Sequence, residues 1–235
     1  YIDFLRLKPK VSAELMGEKI HLTSEFSVCT AKEDGMYNVV SNCTYVCSVD
    51  PVAQKTALDK LKQTWKDEGK GKEEIEFESE NWKLLDGQRI IKKDSFDFTV
   101  ETVGVYTNIA IINMACDVLI KKLDDLDKMI EMDDLSIKKS ETTIQNSFDI
   151  TLENEDYTIG KVLEYYIYSK LYDKEDGMLS YCGFKKYHPH DTFSIIRIGY
   201  KEPVAESTIK GHLKECILDA KLNYKKIIKM LPKEN

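Results

Sequence analysis

Two pairs of side chains have types and spacings that could hold a metal ion. His188 and His190 flank Pro189, and two imidazoles this close in sequence could share a cation. Cys43 and Cys47 are separated by three residues, and no second pair follows at the spacing of a zinc site. A proline turn explains the histidines, and the spacing of the cysteines does not specify a metal site. We therefore expect no metal. A small metalloenzyme built on these residues remains an alternative hypothesis, and bound zinc in stoichiometric amount would support it.

Carboxylates and tyrosines form two further clusters. The carboxylates occur near the end of a predicted helix, at Asp124, Asp125, Asp127, Asp133 and Asp134. Their spacing matches no calcium loop, so it favours a solvated helix face. The tyrosines, at Tyr165, Tyr166 and Tyr168, could stack nucleic-acid bases. The formal net charge of −7 argues against that function, because phosphate binding usually needs a basic excess.

Motifs for common enzymatic chemistry are absent from the sequence. It contains no Gly-rich phosphate loop, nucleophile elbow or zincin motif. No apolar run approaches the roughly 20 residues that span a membrane. We therefore expect a non-catalytic protein without a cofactor, without direct contact to nucleic acid and without a membrane association.

The strongest pattern is a construction that occurs twice, an alternating strand followed by a long helix with apolar residues every three or four positions. Narrow apolar stripes of this kind usually pack helix against helix. We therefore predict that the two helices pair. The predicted seam consists of Ile109, Ile112, Cys116, Leu119, Leu123, Leu126 and Ile130 on the first helix and Leu213, Ile217, Ala220, Tyr224 and Ile227 on the second.

Other segments complete an α+β organisation. Alternation predicts strands over residues 20–28, 38–46, 148–152, 179–184 and 192–198, and a helix over 159–171. Residues 50–94 are interpreted as an insertion with one helix over 52–65, and the polar segment 131–146 as a linker. Pro203 is expected in the first turn of the second long helix. If the halves 1–130 and 147–235 are equivalent, a strand and a helix precede Tyr1.

Residues 148–198 resemble the small assembly subunit of multisubunit RNA polymerases, which is the L-type polypeptide of archaea and a relative of the bacterial alpha amino-terminal domain. The resemblance is carried by LENEDYTIG at 152–160, CGF at 182–184 before His188, and FSIIRI at 193–198. Members of the family usually have His where Tyr157 stands.

The first half resembles the larger partner of that small subunit, the D-type polypeptide of archaeal polymerases. The matching segments are KIHLT at 19–23, TAKE at 30–33, and FTVETVG at 98–104 followed by the long helix. The histidine that commonly follows the Lys-Glu pair is missing. Both partners on one chain resemble the fused assembly subunit of nucleocytoplasmic large DNA viruses.

The resemblance implies an intramolecular D/L-like heterodimer that recruits the two largest polymerase subunits and small polymerase subunits for transcription. It also implies a location in the host cytoplasm, at the viral factory, and in virions. We expect partner contacts at Ala31, Lys32 and Glu33 and at Gly183, His188 and His190. The alternative hypothesis is an independent dimeric binding protein that has no polymerase partner.

Overall fold

The computed structural model describes residues 4–232 and confirms the α+β class. Two antiparallel sheets alternate with helices along the chain. In chain order the elements are β1 (Val40–Val49), α1 (Pro51–Asp67), α2 (Lys72–Leu84), β2 (Ile91–Thr102), α3 (Asn108–Glu131), β3 (Ile137–Lys139), β4 (Ser147–Glu153), α4 (Tyr157–Ile167), β5 (Leu179–Lys185), β6 (Phe193–Tyr200) and α5 (Glu206–Met230). No helix in this described range is long and apolar enough to cross a membrane.

Among residues 4–232, the first sheet consists of β1 and β2, with the helical hairpin α1–α2 inserted between them. Asp50 begins α1, because its carboxylate accepts hydrogen bonds from the N–H groups of Val52 and Ala53 and Pro51 occupies the first turn. Directly opposed residues share a face in an antiparallel pair, so the register puts apolar side chains on one face. These side chains are Cys43, Tyr45, Cys47, Phe96, Phe98 and Val100.

The second sheet has four strands in the order β3-β4-β6-β5. Asp156 caps the start of α4 by accepting from the N–H of Thr158, which turns the chain after β4 into a helix. Ile150 on β4 lies opposite Ile196 on β6, and both are completely buried. Their face of the sheet packs against α4 and α5 in one hydrophobic cluster.

A single cluster forms the main core. Its fully buried members run from Leu123 to Ala220 and come from α3, α4, α5 and the second sheet. Before α3, the described chain buries only Leu58, Ser79 and Gly87. The second half together with the end of α3 therefore contains most of the packing that stabilises the protein.

Four predictions about individual segments are wrong. Residues 20–28 form no strand, and Phe26 and Val28 are almost fully exposed. The insertion contains a second helix, α2, and the predicted linker contains β3, which pairs with β4. Pro203 precedes α5, whose N-cap is Ala205. The two halves also differ in size, because one sheet has two strands and the other has four.

Gly160 allows α4 to approach β5 closely. A Cβ atom at this position would overlap the ring of Phe184, which also contacts Tyr157. We expect Gly160→Ala to lower the free energy of unfolding by up to about 2 kcal/mol, because an overpacking cost of about 1–3 kcal/mol exceeds the roughly 1 kcal/mol gained in helix propensity. Urea denaturation measures the change.

Gly211 in α5 provides the matched control, because a Cβ there would meet no atom within 4 Å. Gly211→Ala should stabilise the protein by up to about 1 kcal/mol. Equal effects of the two substitutions would contradict the close contact between Gly160 and Phe184.

Asp149 and Arg197 form a cross-strand ion pair on the other face of the second sheet. Arg197 donates from Nε at 2.6 Å and from Nη2 at 2.7 Å, and Ser140 Oγ also donates to Asp149. The hydrogen bonds from Arg197 hold the pKa of the Asp149 carboxyl below its ordinary value, against the opposite effect of burial. A lowered folded-state pKa stabilises the protein above the ordinary carboxyl pKa of about 3.9, and this stabilisation is lost as the pH falls through the folded-state pKa.

Asp149→Asn should therefore cost about 1–3 kcal/mol of unfolding free energy at pH 7, because Arg197 loses its charged partner. The difference from the parent should narrow below about pH 4. Urea titrations at pH 7, 5 and 3 test this expectation. A difference that stays constant over that range would contradict the assigned ionisation of Asp149.

Candidate interaction surfaces

The two long helices, α3 and α5, pack on each other in antiparallel orientation. Their direction follows from three ion pairs, in which Lys210, Lys214 and Lys221 of α5 contact Asp133, Glu131 and Asp124 respectively. Glu131 and Asp124 belong to α3, and Asp133 lies just after its end. As the residue number rises along α5, it falls along α3. The helix that follows the first sheet is thereby joined to the helix that follows the second.

The residues of the predicted seam differ in burial along its length. Leu123, Leu126 and Ile130 of α3 belong to the same buried cluster as Leu213, Ile217 and Ala220 of α5. Cys116 is also buried, Leu119 and Tyr224 are half-buried against the cluster, Ile109 and Ile112 are half-buried, and Ile227 is exposed. The packing is therefore dry where α3 ends and α5 begins, and open at the opposite end.

Carboxylates of α3 flank the buried part of the helix pair. Lys221 Nζ lies 2.5 Å from Asp124 and 3.7 Å from Asp127. The hydrogen bond that Lys221 donates to Asp124 raises the pKa of Lys221, and the bond to Asp133 does the same for Lys210. The predicted solvated acidic face is thus in part a set of ion pairs between the helices. Partly exposed pairs of this kind contribute little stability each, but they favour one register over others.

The apolar face of the first sheet is exposed. Tyr45 and Phe98 are 63% and 69% exposed, and the Tyr45 ring lies 5.6 Å from Phe98 and 5.7 Å from Phe96. Isolated two-stranded sheets are marginally stable in water. An exposed aromatic cluster on such a sheet is a common feature of protein interaction sites.

Two of the predicted contact regions lie close together. Lys32 and Lys186 both act electrostatically on Asp156, and the three side chains line one open groove with Asp191 and Thr192. The electrostatic contribution of Lys32 and Lys186 lowers the pKa of Asp156, after the larger effect of the hydrogen bond from Thr158 N–H. The segment around Lys32 and the loop after β5 therefore form one mixed-charge surface.

The remaining predicted contact residues lie in the turn between β5 and β6, on β5 and beside Lys32. His188 and His190 are exposed, and the N–H of His190 donates to Nδ1 of His188 at 3.2 Å. Asp191 accepts from the N–H of His188 at 2.9 Å, which closes the turn. Gly183 lies on β5 beneath the hydroxyl of Tyr181. Ala31 and Glu33 are exposed beside Lys32.

The cysteine pair does not form part of a metal cluster within residues 4–232. Cys43 and Cys47 are both exposed free thiols on β1. No group of three metal-ligating side chains is found in the described part of the chain. Burial raises the pKa of Cys182 to about 12 and of Cys216 to about 11, so these two thiols stay protonated at neutral pH.

Sequence reasoning missed two contacts near α4, one that joins the second half to α3 and one within the second half. Lys122 of α3 binds both carboxylate oxygens of Glu155, at 2.6 and 2.8 Å, just before α4. Glu164 of α4 accepts from the N–H of Phe184, an outward-facing group of the edge strand β5. Neither pair follows a periodic spacing, so the sequence alone carried no signal for them.

No known protein family model and no curated protein matches this chain.

The completely buried Leu123 tests the helix packing. Leu123→Asp would place a carboxylate in the dry part of the seam and should cost on the order of 3 kcal/mol or more. Leu218→Asp is the matched control, since Leu218 is an exposed leucine of α5 and should tolerate the charge within about 0.5 kcal/mol. Chemical denaturation of both variants provides the comparison. A Leu123→Asp protein that unfolds like the parent would show that the seam is not buried.

Proposed function

We propose that this chain is a non-catalytic assembly scaffold of a multisubunit DNA-directed RNA polymerase. In this proposal its two halves act as an intramolecular D/L-like heterodimer that recruits the two large catalytic subunits, with small polymerase subunits as further partners. One observation carries the proposal: α3 and α5 each follow a separate antiparallel sheet and bury their apolar stripes in one shared cluster. An assembly platform needs this arrangement, because two units must hold a fixed relative position.

The exposed aromatic face of the first sheet supports a role in assembly. Burying a large apolar side chain contributes about 1.5–3 kcal/mol, and Tyr45, Phe96 and Phe98 obtain only part of this within the described chain because each is about half exposed or more. Contact with a partner would bury these side chains. The first half would then gain stability that its own packing does not supply.

The mixed-charge surface around Lys32 and Lys186 supports the same role. Charged groups at the rim of an interface determine orientation and association rate more than affinity. Lys32, Asp156, Lys186 and Asp191 place charges of both signs around one groove. We propose that a large subunit contacts this surface.

The resemblance to the fused subunit of nucleocytoplasmic large DNA viruses extends the proposal to a place of action. The polymerase would then work in the cytoplasm of an infected cell and would be packaged in virions. The presence of a D-like and an L-like part on one chain supports this step. The L-like segments at 152–160, 182–184 and 193–198 lie in one sheet unit, on β4, α4, β5 and β6.

Charge reversal tests the mixed-charge surface. The double variant Lys32→Glu, Glu33→Lys keeps the net charge and should leave the melting temperature unchanged, because both side chains are exposed. Recovery of the two largest polymerase subunits with the tagged chain, quantified by mass spectrometry after a salt wash, should fall at least fivefold. The matched control is Lys55→Glu, Asp59→Lys on α1, an exposed pair elsewhere that should retain full recovery.

Each result of this pull-down has a defined meaning. Equal recovery with both double variants would remove the Lys32 surface from the proposal. Recovery of the parent chain without any polymerase subunit would overturn the scaffold function. Sedimentation as a homodimer in that case would support the independent dimeric binding protein, with the aromatic face of the first sheet as its contact.

A further inference from the structure

We propose that the inserted helix α2 presents a docking surface for a basic, apolar segment of another protein. The surface consists of Glu73, Phe77, Glu80 and Leu84, and we refer to it as the Phe77 stripe. These residues are spaced three or four apart, so they follow one side of the helix. This inference does not depend on the polymerase proposal.

The opposite side of α2 already has a structural role. Ile75, Ser79 and Trp82 lie on the side away from Phe77, and Ser79 is buried. A Cβ at Gly87 would lie 3.0 Å from the carbonyl oxygen and 3.1 Å from the ring of Trp82, which shows how closely the chain packs there. The side of α2 with Ile75, Ser79 and Trp82 therefore accounts for the packing of the helix within the insertion. The Phe77 stripe is not needed for this packing.

The centre of the stripe is apolar and exposed. Phe77 is 66% exposed and Leu84 is 73% exposed, and they lie two helical turns apart on the same side. Leu85, which follows the helix directly, is also largely exposed. The main contacts of α2 are with α1 and the short turn after α2. The exposed fractions of Phe77 and Leu84 show that this side of the helix is open to solvent.

The charges around the stripe specify the chemistry of the partner. Helix α2 contains five glutamates and two lysines. Glu78 pairs with Lys70 and Glu80 with Lys83, whereas Glu73, Glu74 and Glu76 form no ion pair within residues 4–232. Glu76 also lines a groove with Lys62 and Lys72, whereas Glu73 and Glu74 do not line this groove. Carboxylates beside an apolar centre repel acidic segments and favour Lys- or Arg-containing ones.

An amphipathic helix is the partner that fits best. Its apolar residues would cover Phe77 and Leu84 at the same two-turn spacing, and its basic residues would meet the flanking glutamates. Aromatic anchors surrounded by polar groups supply most of the binding energy in such contacts. The apolar centre distinguishes this surface from a helix that is merely acidic and solvated.

A designed peptide can test the surface without knowledge of the natural partner. The probe is a fluorescent 14-residue helical peptide of leucine and lysine, with leucines on one face, and a peptide of the same pattern with glutamate in place of lysine is the control. Fluorescence anisotropy with the full chain should show at least tenfold tighter binding of the lysine peptide. The double variant Phe77→Ser, Leu84→Ser should weaken that binding at least fivefold.

Two further variants separate a specific surface from general attraction to an acidic protein. Leu218→Ser, Leu222→Ser removes two exposed leucines of α5 and should leave lysine-peptide binding unchanged. Glu73→Lys, Glu74→Lys should weaken the lysine peptide and strengthen the glutamate peptide. Circular dichroism melting verifies that each variant is folded.

The proposal is overturned if the lysine peptide does not bind, or if the Phe77 and Leu218 double variants lose binding equally. It is also overturned if the serine substitutions at 77 and 84 leave binding unchanged. Peptide binding is measured without any polymerase subunit present. A failure of this proposal can therefore be distinguished from a failure of the scaffold function.

Discussion

The structure depends on the burial of two helical stripes against each other and against one sheet. Leu123, Leu126 and Ile130 of α3 enter a cluster that otherwise belongs to the second half. Without them, Leu213 and Ile217 of α5 would lose part of their cover. The same residues are the strongest link between the first half and the main core. One apolar contact thus stabilises the second half and attaches the first half to it.

The first half shows the consequence of having little core of its own. Its sheet alternates correctly, with apolar side chains on one face, but Tyr45 and Phe98 remain largely exposed. The inserted hairpin α1–α2 adds a small interior around Leu58 and Ser79, on only one side of each helix. A half with so much uncovered apolar surface is suited to contact with other proteins, which is why the proposed functions concern assembly and docking.

Ion pairs favour one relative position of the elements whose packing is stabilised by apolar burial. Burial of aliphatic side chains is non-directional, so by itself it tolerates shifts of one helix along another. Lys210, Lys214 and Lys221 meet carboxylates on and just after α3 at successive positions and favour one antiparallel register. On the second sheet, the pairing of Arg197 with Asp149 joins neighbouring strands in the same way. These pairs add specificity to a core whose stability is mainly hydrophobic.

The sequence by itself determined the elements with a strong period, because the long helices and the strands β4 and β6 follow from residues close together in the chain. The strand expected over 20–28 did not form. An alternating sequence gives a segment one apolar face, but it does not supply the neighbouring strand with which the segment would pair. Helix α2 was missed because its many glutamates obscure the short periodic pattern of the inward-facing residues around Ser79. Only the tertiary structure decided that Lys32 lies near Lys186, that Lys122 binds Glu155, and that Phe77 remains uncovered. Such contacts depend on where distant segments meet, and local periodicity carries no information about that.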